Sequence, residues 1–397
     1  MKKQIVIFLT TILALSIVLV GCVATQESTE QNQKPLTSNP EESEKPMENT
    51  KFIFTANEGG SISKIDASTN EVVETIKVDG VVHNVQVSPD GKMLGVTVVP
   101  GGGHGDNSDN PAEEHSNHGS NEQSDEHSEG HSNQSSNDHS DDQSSHESSD
   151  HSNGYAMFYD IESGELLKQV TVGNHPAHIV FTSDSKLALV TNNGDNNVSV
   201  IDTNTFEITN TIQTGKGPHG FRISSDDKFA YIANMSDITV SVINLQTYEE
   251  DKKIEVGQAP VTSGISSDGK ILVTSLNAEN KVAIVDVETG EVEKVDVGKG
   301  PAQVYIQSDN KYVFVANQGT EENPSDSITK IDLTNNQVVA TIKTGKGSHG
   351  VVTSSDNKLV YVTNMFDNTV SVIDNEKNEV IATIDVDKIP NGISVMP

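Results

Sequence analysis

An all-β fold, a closed ring of small four-stranded antiparallel sheets, follows from three features of this 397-residue sequence. Short runs rich in Val, Ile, Tyr and Thr alternate with turn-forming clusters. Over residues 354–386 they spell LVYVTN, TVSVID and EVIATIDV, separated by Asp-Asn and Asn-Glu-Lys-Asn, which is the pattern of strands joined by hairpin turns. The pattern also repeats. Asp202, Asn244 and Asp286 close VSVID, VSVIN and VAIVD at intervals of 42; Asp332 follows 46 later and Asp374 another 42 later. Four strands in a period of about 40–45 residues is the spacing of a β-propeller blade. Finally, seven innermost-strand segments are present, near Val85, Ile179, Phe221, Ile265, Val304, Val351 and Ile393. The predicted architecture is a seven-bladed β-propeller.

The text Tyr361-Val362-Thr363-Asn364 has variants at 231–234 (YIAN), 313–317 (VFVAN) and 189–192 (LVTN). It resembles the YVTN-type β-propeller repeat, across residues 51–100 and 154–397. The resemblance implies the fold and a surface protein, while the repeat motif itself is structural. The chain has no Trp, which sets it apart from propellers whose repeats end in a Trp-Asp pair.

The chain opens with a targeting segment, residues 1–21. Lys2 and Lys3 precede an apolar stretch over 5–20 that is short for a membrane span. It ends Leu19-Val20-Gly21-Cys22, which resembles the lipobox of bacterial lipoproteins. That resemblance implies cleavage before Cys22, a lipid on its thiol, and a protein held at the outer face of the cytoplasmic membrane. Cys22 is the single cysteine, so no intramolecular disulfide is available. Residues 22–50, rich in Gln, Glu, Ser, Asn and Pro, read as a disordered tether.

The propeller is expected over 51–397. Residues 51–80 supply three strands of a blade, and Asn391-Gly392-Ile393-Ser394-Val395 supplies the missing innermost one. Pairing the last strand with the first three closes the ring and removes exposed sheet edges. One spacing breaks the period: Asp66 to Asp160 spans 94 residues, 52 more than one repeat. The excess is residues 102–153, a run of His, Asp, Glu, Ser and Asn without Lys, Arg, aromatic or β-branched residues. Such a composition cannot form a core and reads as a disordered loop.

Antiparallel strands alternate direction. The Ser-Asp-Gly-Lys type turns therefore lie on one rim, and the links between blades lie on the other. The insert follows Val96-Thr97-Val98-Val99 and is expected on the rim of the inter-blade links. His83, His178, His219 and His349 stand at nearly the same place in four of those links, with His175 beside His178. Met235 and Met365 follow YVTN-like strands on that rim. Neutral imidazole is the common ligand of zinc and copper, and thioether sulfur would favour copper.

The insert adds His104, His115, His118, His127, His131, His139, His146 and His151, interleaved with carboxylates. His127 and His131 have a His-x3-His spacing, but Gly130 and the Ser-rich flanks disfavour a helix there. The expectation is several weak, exchanging sites for divalent zinc or copper, filled above the imidazole pKa of about 6.5. As a random coil of about 40 Å span, the loop could carry metal over the mouth.

The net charge of −32 makes nucleic acid a poor partner. Arg222, the one arginine, reads as a structural residue of an innermost strand, and it leaves no arginine cluster for anionic substrates. Two alternatives to metal binding stand beside it. One is an interaction platform for a surface protein or wall polymer. The other is an enzyme, by resemblance to lactonase propellers or to the haem d1 part of nitrite reductases, the latter implying a rim His as axial ligand. No Ser-His-Asp order, carboxylate pair or Gly-rich phosphate loop stands out.

Overall fold

The structure, a computed structural model, describes residues 51–101 and 153–397. The segments read as signal peptide, lipidated Cys22 and tether lie outside the described residues, as does the insert with its eight histidines. Twenty-eight strands, β1 (Phe52–Asn57) to β28 (Pro390–Val395), form seven four-stranded antiparallel sheets. The first blade is ordered β28-β1-β2-β3, with β2 at Ser61–Asp66 and β3 at Glu71–Lys77. Ile53, Phe54 and Thr55 pair with Val395, Ser394 and Ile393, so the last strand closes the ring as expected.

The innermost strands are β4 (Val81–Val87), β8 (Pro176–Phe181), β12 (Pro218–Ile223), β16 (Pro260–Ile265), β20 (Pro301–Ile306), β24 (Ser348–Thr353) and β28. Val and Ile of the inner strands interlock between neighbouring sheets in seven separate clusters. Each outermost strand is mostly exposed, for example Glu249–Glu255.

The repeat motif has a local reason. Asn57, Asn192, Asn234, Asn317 and Asn364 are buried, and each donates its side-chain N–H groups into the adjoining third strand. Asn364 reaches Thr369 and Ser371 at 2.9 Å each, and Asn234 reaches Thr239 at 3.0 Å and Ser241 at 2.9 Å. The threonine before it ties one blade to the next. Thr191 Oγ1 donates to the carbonyl of His219 at 2.8 Å and accepts from the amide of His178 at 3.0 Å.

The rims follow the alternation. Inter-blade links hydrogen-bond the turns after second strands, as in Val78 N to Gly60 O at 3.0 Å and Val297 N to Asn280 O at 3.0 Å. β5 (Met93–Val99) and β6 (Asn153–Asp160) flank the insert, and both of its ends lie on this rim. Asn153, counted above with the insert, is the first residue of β6 and pairs with Asn174.

Candidate metal centre at the propeller mouth

Each innermost strand bulges near its start: the register shifts between Pro218 and Phe221, Pro176 and Ile179, Ser348 and Val351, and Val82 and Asn84. A bulge bends a strand and re-aims its side chains. His219, His349, His83 and Asn391 occupy one equivalent position in this bulge. His178 stands one residue further on, where β12 and β24 have Gly220 and Gly350. Glycine there permits close approach of the next strand, since a Cβ on Gly220 would fall 2.5 Å from Thr262 Oγ1. These four histidines therefore lie inside the innermost strands rather than in the links. Only His175 is in a link, exposed and with a φ of 48°.

Three of the histidines converge. His83, His178 and His219 each bring one ring nitrogen within 4.8 Å of the others. Their ring centroids are separated by 6.1 Å (83–178), 5.3 Å (83–219) and 4.9 Å (178–219). His178 and His219 are buried, at 1% and 8% exposure. His349 is also buried, and it lies outside this group of three.

The hydrogen bonds fix which nitrogens face inward. His219 Nδ1 is 3.1 Å from the Val261 carbonyl, which can only accept, so Nδ1 carries the hydrogen and Nε2 of the neutral ring presents a lone pair. His83 Nδ1 donates to Glu58 Oε1 at 3.0 Å, again leaving Nε2 inward. The two Nε2 atoms are 3.3 Å apart. Two facing lone pairs repel, and a shared proton or a cation makes the contact favourable. Nitrogens bound at 2.0–2.1 Å to a tetrahedral zinc lie about 3.3–3.4 Å apart. Nε2 of His178 is buried and finds no hydrogen-bond partner among the described residues, an orphan that native interiors normally satisfy. Burial holds the His178 pKa well below the usual imidazole value, and the neighbouring His219, His83, Arg222 and His349 add to this. It is therefore neutral, the form that ligates metal.

Among the propeller's sequence relatives, the YNCE-like beta-propeller family matches residues 133–312. Over that span the chain is similar to this family. The matched span contains His175, His178 and His219, with His83 before it and His349 after it. The Cytochrome D1 heme domain family matches residues 276–392, which include His349 and none of the converging three. No curated protein matches the chain. Among solved structures, Kuenenia stuttgartiensis hydrazine synthase superposes with a TM-score of 0.60 at 18% identity, over 79% of this chain and 89% of that one. A functionally unknown protein from Desulfotomaculum acetoxidans DSM 771 gives a TM-score of 0.65 at 11% identity, over 88% and 99%. At these identities the likeness is one of fold.

The remaining sequence candidates are dispersed. Met365 is buried and its Sδ accepts from Gln318 Nε2 at 3.3 Å. Met235 is half-buried. Neither sulfur belongs to the three-histidine group. Two residues that the sequence reading passed over do belong to the site's surroundings. Glu58 follows the motif asparagine of the first blade, the slot filled by Met235 and Met365 in others. Asn391 stands in Pro390-Asn391-Gly392, in register with Pro218-His219-Gly220, and donates to Glu58 Oε1 at 2.6 Å. Aligning the blades by that Gly would have found it.

Proposed function

We propose that this protein is a lipid-anchored, extracytoplasmic β-propeller that binds a divalent transition metal, zinc or copper, at its mouth. His83, His178 and His219 hold the ion through inward nitrogens, and three protein ligands leave one position open for water or a transferred ligand. The carrying observation is the convergence of three ring nitrogens within 4.8 Å, one of them buried and unsatisfied. Glu58 fixes the tautomer of His83, the usual role of a carboxylate behind a ligating imidazole. Both ends of the His-rich stretch over 102–153 lie on the same rim, so it is suited to gather metal weakly above the site.

Calorimetric titration of the full chain with zinc and with copper tests this. The variant without 102–152 should lose the weak equivalents and keep one tight one. The H83A/H178A/H219A variant should lose the tight one. Equal stoichiometry and affinity in all three proteins would refute the assignment. Cys22→Ala should release the protein from the membrane fraction of its host.

The D1 heme domain match favours a second reading, a haem-type cofactor with His349 as a ligand. The mouth fits it poorly, because the three rings already face one another across it. Visible absorbance of protein purified from its native host would favour the haem reading over the ion.

A further inference from the structure

Arg222 is the one arginine in a chain of net charge −32, and its surroundings are unusual for a guanidinium. It lies on β12 three residues beyond His219, about 10 Å further along the strand and away from the mouth. There it lines a cavity of about 150 Å³ together with Gln86, Phe181, Tyr305, Val352 and Ser394. Those five residues come from five other innermost strands or their ends, so the cavity lies on the axis of the ring.

With 58 acidic residues in the chain, a counter-ion would be easy to supply. Yet among the described residues Arg222 makes no ion pair. One N–H goes to the carbonyl of Phe221 at 2.8 Å, and the Tyr305 ring lies 6.0 Å away. A guanidinium has five N–H donors in a planar fork, and among the described residues only one of them has a protein acceptor. Burial lowers its pKa from the usual value, and no carboxylate opposes that effect. Arg222 is half-buried, and a charge partly withdrawn from water without a counter-ion is costly, which bidentate anion binding offsets.

The rest of the wall suits the same ligand. Gln86 Nε2 is shared between Val87 O and Ser394 Oγ, at 3.3 Å each, long contacts that a ligand could replace. Ser394 Oγ accepts from Val87 N at 3.0 Å, and its own proton goes to no described acceptor. No described acidic side chain lines the cavity. The negative surface does not forbid entry, because exposed charges are screened over about 8 Å at physiological salt.

We propose that the channel beneath the histidines is a binding site for a small anion, a carboxylate or tetrahedral oxyanion, seated on Arg222. A volume of about 150 Å³ is several times what one water molecule needs, which admits acetate or phosphate. Arg222 thus has a ligand-binding role beyond the structural one its strand position suggests. The site is independent of the metal reading, since neither shares a residue with the other.

The test is calorimetric titration of the full chain with sodium acetate and with inorganic phosphate at constant ionic strength, using chloride as the reference. One-site saturable binding of either anion is expected, and which one binds separates a carboxylate ligand from an oxyanion. Arg222→Gln should weaken that binding at least tenfold while the chain keeps its one tight zinc equivalent. Arg222→Lys, which keeps the charge but loses the fork, should weaken it less, and it serves as the variant if Arg222→Gln does not fold. The proposal is overturned if the wild-type chain binds neither anion saturably. It is equally overturned if the substituted chain binds as well as the wild type.

Discussion

Glu58 accepts from His83 Nδ1 at 3.0 Å and is itself gripped by Asn391 at 2.6 Å. The chain Asn391–Glu58–His83 sets the tautomer that turns His83 Nε2 toward His219. Outer partners of this kind are worth roughly 10–100-fold in metal affinity. Glu58→Gln is therefore expected to weaken zinc binding by about that factor, whereas His349→Ala, outside the converging three, should change it much less. A competition titration against a chromogenic chelator measures both, and equal affinities for Glu58→Gln and wild type would remove Glu58 from the site. The sequence carried half of this arrangement. Recurring His at one repeat position in three blades, and one residue further on in a fourth, placed four side chains around one opening, because blade symmetry is written in the period. It did not say which of them meet. His83 and His219 come from blades two apart, and their 3.3 Å contact depends on the channel radius and the bulge angle, which no spacing encodes. His178 reaches them from the neighbouring register position, and Glu58 from a turn of the closing blade.

At the scale of the repeated element, two polar devices recur, the first being the buried motif asparagine of five of the seven blades. In Asn364 the side-chain N–H groups reach Thr369 and Ser371 at 2.9 Å, and its oxygen accepts from Gly345 N at 3.1 Å. Asn364→Ala strands the half-buried Gly345 amide and two buried hydroxyls, which costs on the order of 2–3 kcal/mol; a urea melt should show that loss, and an unchanged midpoint would contradict it. The second device is the turn between first and second strands. Asp226 Oδ1 accepts from Ser224 Oγ at 2.7 Å and from Lys228 N at 3.2 Å. Hydrogen bonds to the turn lysine and the Ser or Thr hydroxyl lower the pKa of Asp184, Asp226 and Asp356 to about 2. Because the folded pKa is depressed, the stabilisation is complete above the ordinary value of 3.8 and is lost as pH falls toward about 2. All three turns are solvent-exposed, so each effect is small. Replacing the three by Asn should flatten the dependence of unfolding midpoint on pH between 5 and 2.5, and an unaltered slope would place acid sensitivity elsewhere.

For the whole molecule the decisive feature is closure. The period of about 42 residues is legible because every blade solves the same packing problem with the same letters. The one displaced strand is legible because the first repeat lacks its innermost member. The structure seats β28 against β1 and packs it on both neighbouring innermost strands, β4 and β24. Ile393 is buried with Ile53, Val352 and Tyr361 in one cluster. Removing 390–397 would open the ring at a point where two sheets lose a partner, and would expose the inner edge of β1 for intermolecular pairing. It would also delete Asn391 from beside Glu58. The expected result is loss of the cooperative melt and self-association on size exclusion, together with loss of the tight metal equivalent. Deleting 102–152, which is longer, should leave the melt where it is, because a surface loop adds little closure entropy per residue. A monomeric, cooperatively melting chain without 390–397 would mean that six blades and a remnant suffice, and the ring would then not be what brings the three histidines together.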